Sequence, residues 1–214
     1  MRHYLYHHWA ESTLILALGI SVVLFSFLYT TPWYLFLIWL QFPIYLIHEF
    51  EEHVFPGKFR EFINKEVFHS PRDDAPLTVP AVFWINILAI WILFPLGAIL
   101  AQNVNPEYGL LLPVFGLFNA TLHILMGLIK RKYNPGLMVS LCLNYPTGIY
   151  TLYVLCQEGF LHATSITIAL LVTFFAHALI ILSVMHRRRA CSKNLVFQAQ
   201  KKLCGKKRLK NESI

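Results

Sequence analysis

The stretch WYLFLIWLQFPIYLIHEFEEHVF, residues 33–55, sets the fold class of this chain. It is apolar for long enough to cross a bilayer as a helix, which takes about 20 residues. Yet it closes on His48, Glu49, Glu51, Glu52 and His53. Five other apolar blocks accompany it, so that the six run approximately over 12–29, 33–55, 79–102, 109–129, 137–156 and 164–185. The expected fold is all-α: a polytopic membrane helical bundle of about six transmembrane helices over residues 1–186, followed by a basic tail over 187–214.

The composition agrees with that reading. Of the 214 residues, 57% are hydrophobic and 14% charged, whereas soluble domains carry about 25% charged residues. The length suits one domain, and no internal repeat is evident. Cys142, Cys156, Cys191 and Cys204 have no paired metal-ligand spacing and suggest no disulfide framework. The net charge of +7 is a local property, because ten Lys and Arg and no acidic residue lie between Arg187 and Lys210. Beside a last membrane helix, such a tail is expected to favour anionic lipid rather than nucleic acid.

Loop charges give an orientation. Lys130, Arg131 and Lys132 separate the fourth and fifth blocks, while the loops near 103–108 and 157–160 hold no Lys or Arg. The positive-inside rule then predicts cytoplasmic termini, with the 130–132 loop and the long loop after Phe55 on the same side. Within that long loop, at residues 57–70, Phe59, Phe62, Ile63 and Val67 recur at helical spacing among Lys58, Arg60, Glu61, Lys65 and Glu66. This pattern predicts a short amphipathic helix on the membrane surface, either a solvated connector resting on lipid or a lid over the groups beneath it. In the later turn, Asn134 is expected to cap the fifth helix, with Pro135 at its first position.

Ionisable groups inside a membrane cost about 2.5–3.5 kcal/mol each on insertion scales, so they mark functional positions. On a helix His48, Glu51 and Glu52 share a face, and Glu49 turns about 100° aside. Asn86, Asn119, His123, Asn144 and His177 fall at a similar depth on four other helices, whereas the opposite halves hold nothing comparable. Imidazole nitrogen and carboxylate oxygen one turn apart can converge on a divalent metal, zinc being favoured and iron or manganese also suited. The expected ligands are His48, Glu52, His123 and His177. Glu51 is the expected general base, and Asn86, Asn119 and Asn144 orient ligands or substrate.

At these residues the chain resembles the HXXEE-motif membrane proteins, a family whose pattern stands here as His48, Glu51 and Glu52. The resemblance extends to Asn119 and His123 and to the run from Arg131 to Leu137, and covers about residues 33–186. It implies membership but supplies no reaction, since the family's function is not known.

The chemistry expected from the residues themselves is that of a metal-dependent hydrolase acting on a lipid or other apolar substrate at the cytoplasmic side. Too few intramembrane histidines are present for a His-rich di-iron oxidase. Three alternatives remain: a metal-free proton-relay isomerase, a binder or carrier of an ion or small solute, and a membrane scaffold. Transport is disfavoured, because the polar layer does not continue to the other face.

Overall fold

The computed structural model describes residues 1–211, with side chains for all of these except Arg2 and residues 190–211. Most of the basic tail expected to meet anionic lipid therefore lies outside the described side chains. Among the described residues every regular element is helical. Helix α1 comprises Arg2–His8, a 3-10 turn at Trp9–Ser12 and Thr13–Ser26; α2 is Trp33–His53. Helix α3 begins at Phe59–Phe62 and continues through a wider π turn at Ile63–Val67. Helix α4 spans Val79–Asn103 with a π turn at Ile87–Ile92. Helix α5 is Pro106–Lys130, and α6 covers residues 137–157 with a π turn at Ser140–Asn144. Helix α7, Ala163–Asn211, runs without a break from its apolar part into the basic tail.

Four helices are long and apolar enough to cross a membrane: α1, α4, α5 and the part of α7 over Ala163–Arg189. Helices α2 and α6 are less apolar, and packing explains why α2 can be. Thirteen of the 21 residues of α2 are buried, against α1, α4, α5 and α6. A helix sheathed by its neighbours need not present an apolar surface of its own. At about 1.5 Å per residue its length is still about 31 Å, close to the thickness of a bilayer core. Contact is intimate at its first half, where Gly109 on α5 admits the Ile38 side chain into the space a Cβ would occupy.

Three π turns interrupt the regular helices. Each widens its helix by one residue, rotates the segment beyond it and leaves irregular backbone bonding, an arrangement found mostly at functional positions. Those in α4 and α6 lie just after Asn86 and around Asn144 respectively, two of the polar residues singled out by depth.

The long loop holds a short helix where its apolar residues recur. Helix α3 lies across one end of the bundle, with Phe59, Ile63 and Val67 turned inward onto a cavity. Its anchor is Asn64, fully buried, whose amide nitrogen donates to the carbonyls of Asp73 and Leu77 and whose Oδ1 accepts from Leu77 N. Lys132 also reaches Glu66 at 2.9 Å, a surface pair of small energetic weight. Asn64→Ala strands the Leu77 amide and frees the 70–78 loop at a cost of about 1–3 kcal/mol. Hydrogen exchange in that loop should accelerate at least tenfold while α2 stays protected; unchanged exchange there would contradict the anchoring role.

Candidate metal centre

One end of the bundle gathers the polar side chains. The last two turns of α2, the middle of α5 and the 131–136 loop converge there under α3. His48 is one turn before Glu52 on α2, and the Glu52 Oε1 lies 3.6 Å from His48 Nε2 and 3.1 Å from His123 Nε2 on α5. The donor atoms of these three residues all fall within 4.8 Å of one another, and all three are buried. The two imidazoles meet edge to face, with centroids 4.8 Å apart.

The orientation of His123 is fixed from the loop. Asn134 donates from Nδ2 to the His123 carbonyl at 2.9 Å, which leaves its Oδ1 facing His123 Nδ1 at 2.6 Å. An amide oxygen only accepts, so Nδ1 carries the hydrogen and the neutral ring presents a lone pair at Nε2 toward Glu52. On α2, His48 Nε2 accepts from Asn119 Nδ2 at 3.0 Å, and its Nδ1 has no partner among the described residues. Two ring lone pairs and a carboxylate oxygen thus face a common point. The His48 lone pair is met by the Asn119 amide, while that of His123 faces the Glu52 oxygen, a gap that a proton or a metal ion would bridge. Two histidines and one carboxylate with open positions suit zinc, as in His₂Glu hydrolases, or iron.

Gly136 closes the loop onto both rings. Its φ is +98°, and a Cβ there would stand 2.6 Å from His123 Cε1 and 2.7 Å from His48 Cε1. Only glycine tolerates both the left-handed backbone and the approach. The turn also differs from the cap expected of it. The helix begins at Leu137, not at Pro135, and Asn134 is buried against His123 instead of capping α6. The positive φ of Gly136 delays the helix, which leaves the Asn134 side chain free to orient the ring.

Glu51 takes over the capping. Its Oε1 accepts from Tyr133 Oη at 2.6 Å and from Met138 N at 3.0 Å, and its Oε2 from Val139 N at 2.7 Å. A carboxylate suits the amides at a helix N-terminus. Burial, together with the Glu51 carboxylate, raises the Tyr133 phenol well above its ordinary value, so it stays protonated and donating. Glu51 therefore faces the loop and not Glu52, although both stand near one turn from His48.

The remaining expected residues divide. His53 Nε2 lies 3.4 Å from Glu52 Oε2 and 3.3 Å from Asn86 Nδ2, so Asn86 reaches the site through His53. Asn119 touches His48 directly. Asn144 is buried on α6 with an unpartnered Nδ2. His177 donates from Nδ1 to the Thr173 carbonyl and lies between the rings of Phe115 and Phe118, with centroids 4.6 Å away from each. It lines the same cavity as Glu52 and His123 but is not in the group of three. Two further residues join the site without being expected there. His53 is one, although its place beside Glu52 in the sequence is a signal. Glu49 is the other: it is fully buried and accepts from Trp91 Nε1 at 2.9 Å, with no partner for its Oε1 among the described residues. Nothing in the sequence pairs it with Trp91.

Two cavities flank the centre. A largely apolar one of about 380 Å³ is walled by α3, α4, α5 and α7, with Ile63, Ile90, Phe115 and Ile181 among its lining. Its size falls within the roughly 300–1,000 Å³ of small-molecule sites. A second, of about 270 Å³, lies on the other side under Lys58, Arg60 and His7.

An all-helical fold with four helices suited to a membrane and a buried cluster of histidine and glutamate is the class that fold and site define. Within it, the chain belongs to the family described as proteins of unknown function with HXXEE motif, which matches residues 39–151. That span includes His48, Glu51, Glu52, His123 and Asn134, and leaves out α1, α7 and His177. No curated protein and no solved structure matches the chain.

Gly136→Ala tests the packing of the loop on the two rings. Strain at the backbone and crowding at the imidazoles together cost about 2 kcal/mol or more. The detergent-solubilised variant should unfold several degrees below the wild type; an unchanged midpoint would show that the loop does not sit on the rings.

Proposed function

We propose that this protein is a membrane-embedded, metal-dependent hydrolase acting on a lipid or other apolar substrate, with His48, Glu52 and His123 holding one divalent ion. The observation that carries this reading is the convergence of two imidazole lone pairs and a carboxylate oxygen at the edge of a largely apolar cavity. Zinc is the favoured ion, with iron and manganese compatible with the same donors. A divalent ion there would supply Lewis acidity and the activation of water at neutral pH.

The side chains divide the remaining work. Asn134 keeps His123 in the tautomer that offers Nε2, a role in which partners of metal ligands tune affinity. Asn119 holds the His48 ring and yields its lone pair when an ion binds. Glu51, expected as the general base, is instead a positioning residue, because three donors already occupy its oxygens. His53 borders both cavities and is better placed to move a proton. In hydrolysis of an ester or amide, water oxygen bonds to the acyl carbon and the bond to the alcohol or amine breaks. His53 accepts the proton from water and returns it to the leaving group. His177 and Asn86 shape the substrate space, and the walls of the cavity exclude bulk water.

The site end also carries Lys58, Arg60, Lys65, Lys130, Arg131 and Lys132. Their clustering supports six crossings with that end, and both termini, in the cytoplasm. A metal-free proton relay is the second reading, favoured by one specific distance. At 3.1 Å, His123 Nε2 and Glu52 Oε1 make a direct hydrogen bond if the ring carries a second proton.

Elemental analysis separates the two. Wild-type protein purified in detergent without chelators should contain about one divalent ion per chain, matching the single three-donor group. The His48→Ala/Glu52→Ala variant should lose it while keeping its helical circular dichroism. Wild type should also release acyl chains from lipid esters or amides in a chelator-sensitive manner. Metal-free wild type would reject the metalloenzyme reading and leave the proton relay.

A further inference from the structure

The two cavities meet at the candidate centre and differ in character. Glu52, His53, Phe59 and Val82 border both. On one side is the largely apolar chamber, whose polar groups are confined to the edge near the centre and to His177. On the other is a vestibule at the end of the bundle, between the first turns of α1, the start of α3 and the start of α4. A molecule that fills both must be apolar over one part and polar over the other, with the junction at Glu52 and His53.

The charges of the vestibule give the polar part its sign. Lys58 has no ion pair among the described residues. The Arg60 guanidinium donates to the backbone carbonyl of Asp73 at 3.1 Å and forms no salt bridge among the described residues, with the Asp74 carboxylate in its electrostatic range. Of the two carboxylates that border the vestibule, Glu52 is engaged by three imidazoles. Glu61 opposes the two cations within the vestibule, and Glu52 does so from its inner end. His7 on α1 adds a further donor. Lys58 has a left-handed backbone (φ 72°) directly after Gly57, so the chain turns sharply there before α3 begins.

We propose that the ligand of this site is an anionic amphiphile. Its single apolar chain occupies the chamber between α4, α5 and α7, and its oxyanion head group, a phosphate or carboxylate, is held in the vestibule by Lys58 and Arg60. Cationic side chains bind such head groups through charge-assisted hydrogen bonds, strengthened where water is partly excluded. The inference deepens the hydrolase reading by naming the substrate class, and rests on that reading only for the reaction. Binding itself needs neither the metal nor turnover.

Equilibrium binding to the full-length, detergent-solubilised protein tests it, with hexadecyl phosphate, hexadecanoate and hexadecanol as probes. At least one of the two anions should bind about tenfold more tightly than the alcohol, and whichever anion it is identifies the head group. Lys58→Gln/Arg60→Gln should remove that preference without weakening the alcohol. Ala89→Trp, which fills the chamber, should weaken all three probes; Ile181→Trp serves the same purpose should the first variant fold poorly. His48→Ala should retain the preference, so that a failure of the metal reading and a failure of this one give different results. Equal binding of the alcohol and both anions to wild type would overturn the proposal. So would a preference that survives the Lys58→Gln/Arg60→Gln change.

Discussion

The hydrogen-bond pair between Asn134 and His123 is the constraint on which the rest of the site depends. The amide nitrogen of Asn134 is committed to a backbone carbonyl, so its oxygen must accept from the ring. That choice of tautomer turns the other ring nitrogen, as an acceptor, toward an ionisable carboxylate. Without it, His123 would satisfy Glu52 by donating to it, and the pair would be an ordinary buried hydrogen bond. With it, two acceptors face each other across 3.1 Å, a spacing suited to a proton or a metal ion between them. The constraint spreads outward: Asn134 occupies its place because Gly136 takes a left-handed conformation against two imidazoles, and the loop stays there because Glu51 grips its far side.

Helix α2 thereby carries three buried carboxylates with three separate solutions. Each would cost several kcal/mol if left alone away from water. Glu51 is stabilised by two amides and a phenol, Glu49 by a single indole N–H, and Glu52 stands among three imidazoles. The helix bears this load at the centre of the bundle, where neighbours on all sides supply partners. The same position relieves it of any need for an apolar exterior. The polar residues and the sheathing helices are two aspects of one arrangement, in which α1, α4, α5 and α6 cover α2 and relieve it of an apolar exterior.

Much of this is legible in the sequence because the dominant signals are local. Apolar length marks a helix suited to a membrane whatever its surroundings, and the i, i+4 relation of His48 and Glu52 survives folding unchanged. Depth along a helix is equally readable, which brings Asn119 and His123 to the right level. Rotation and long-range partners are not readable in this way. His177 lies at the expected depth, but its ring packs between Phe115 and Phe118 and its Nδ1 bonds its own helix. Glu51 shares a nominal face with Glu52, yet a small difference of angle directs it to amides 87 and 88 residues further along the chain. Asn134 departs from its expected capping role for a related reason. An Asn-Pro pair is a local capping signal, but the true cap comes from another helix and the helix starts two residues later. The family match adds membership without chemistry, so the functional reading rests on the geometry of the site.

X-ray absorption at the metal edge of the purified wild-type protein, with His123→Ala measured beside it, tests the proposed centre most directly. A first shell of nitrogen and oxygen at about 2.0–2.1 Å is predicted, with the outer-shell scattering of two imidazoles. In His123→Ala one imidazole should disappear from that pattern, or the metal should be lost altogether. A bound metal whose spectrum shows no imidazole, or one unchanged by the loss of His123, would contradict the assignment of His48, Glu52 and His123 as its ligands.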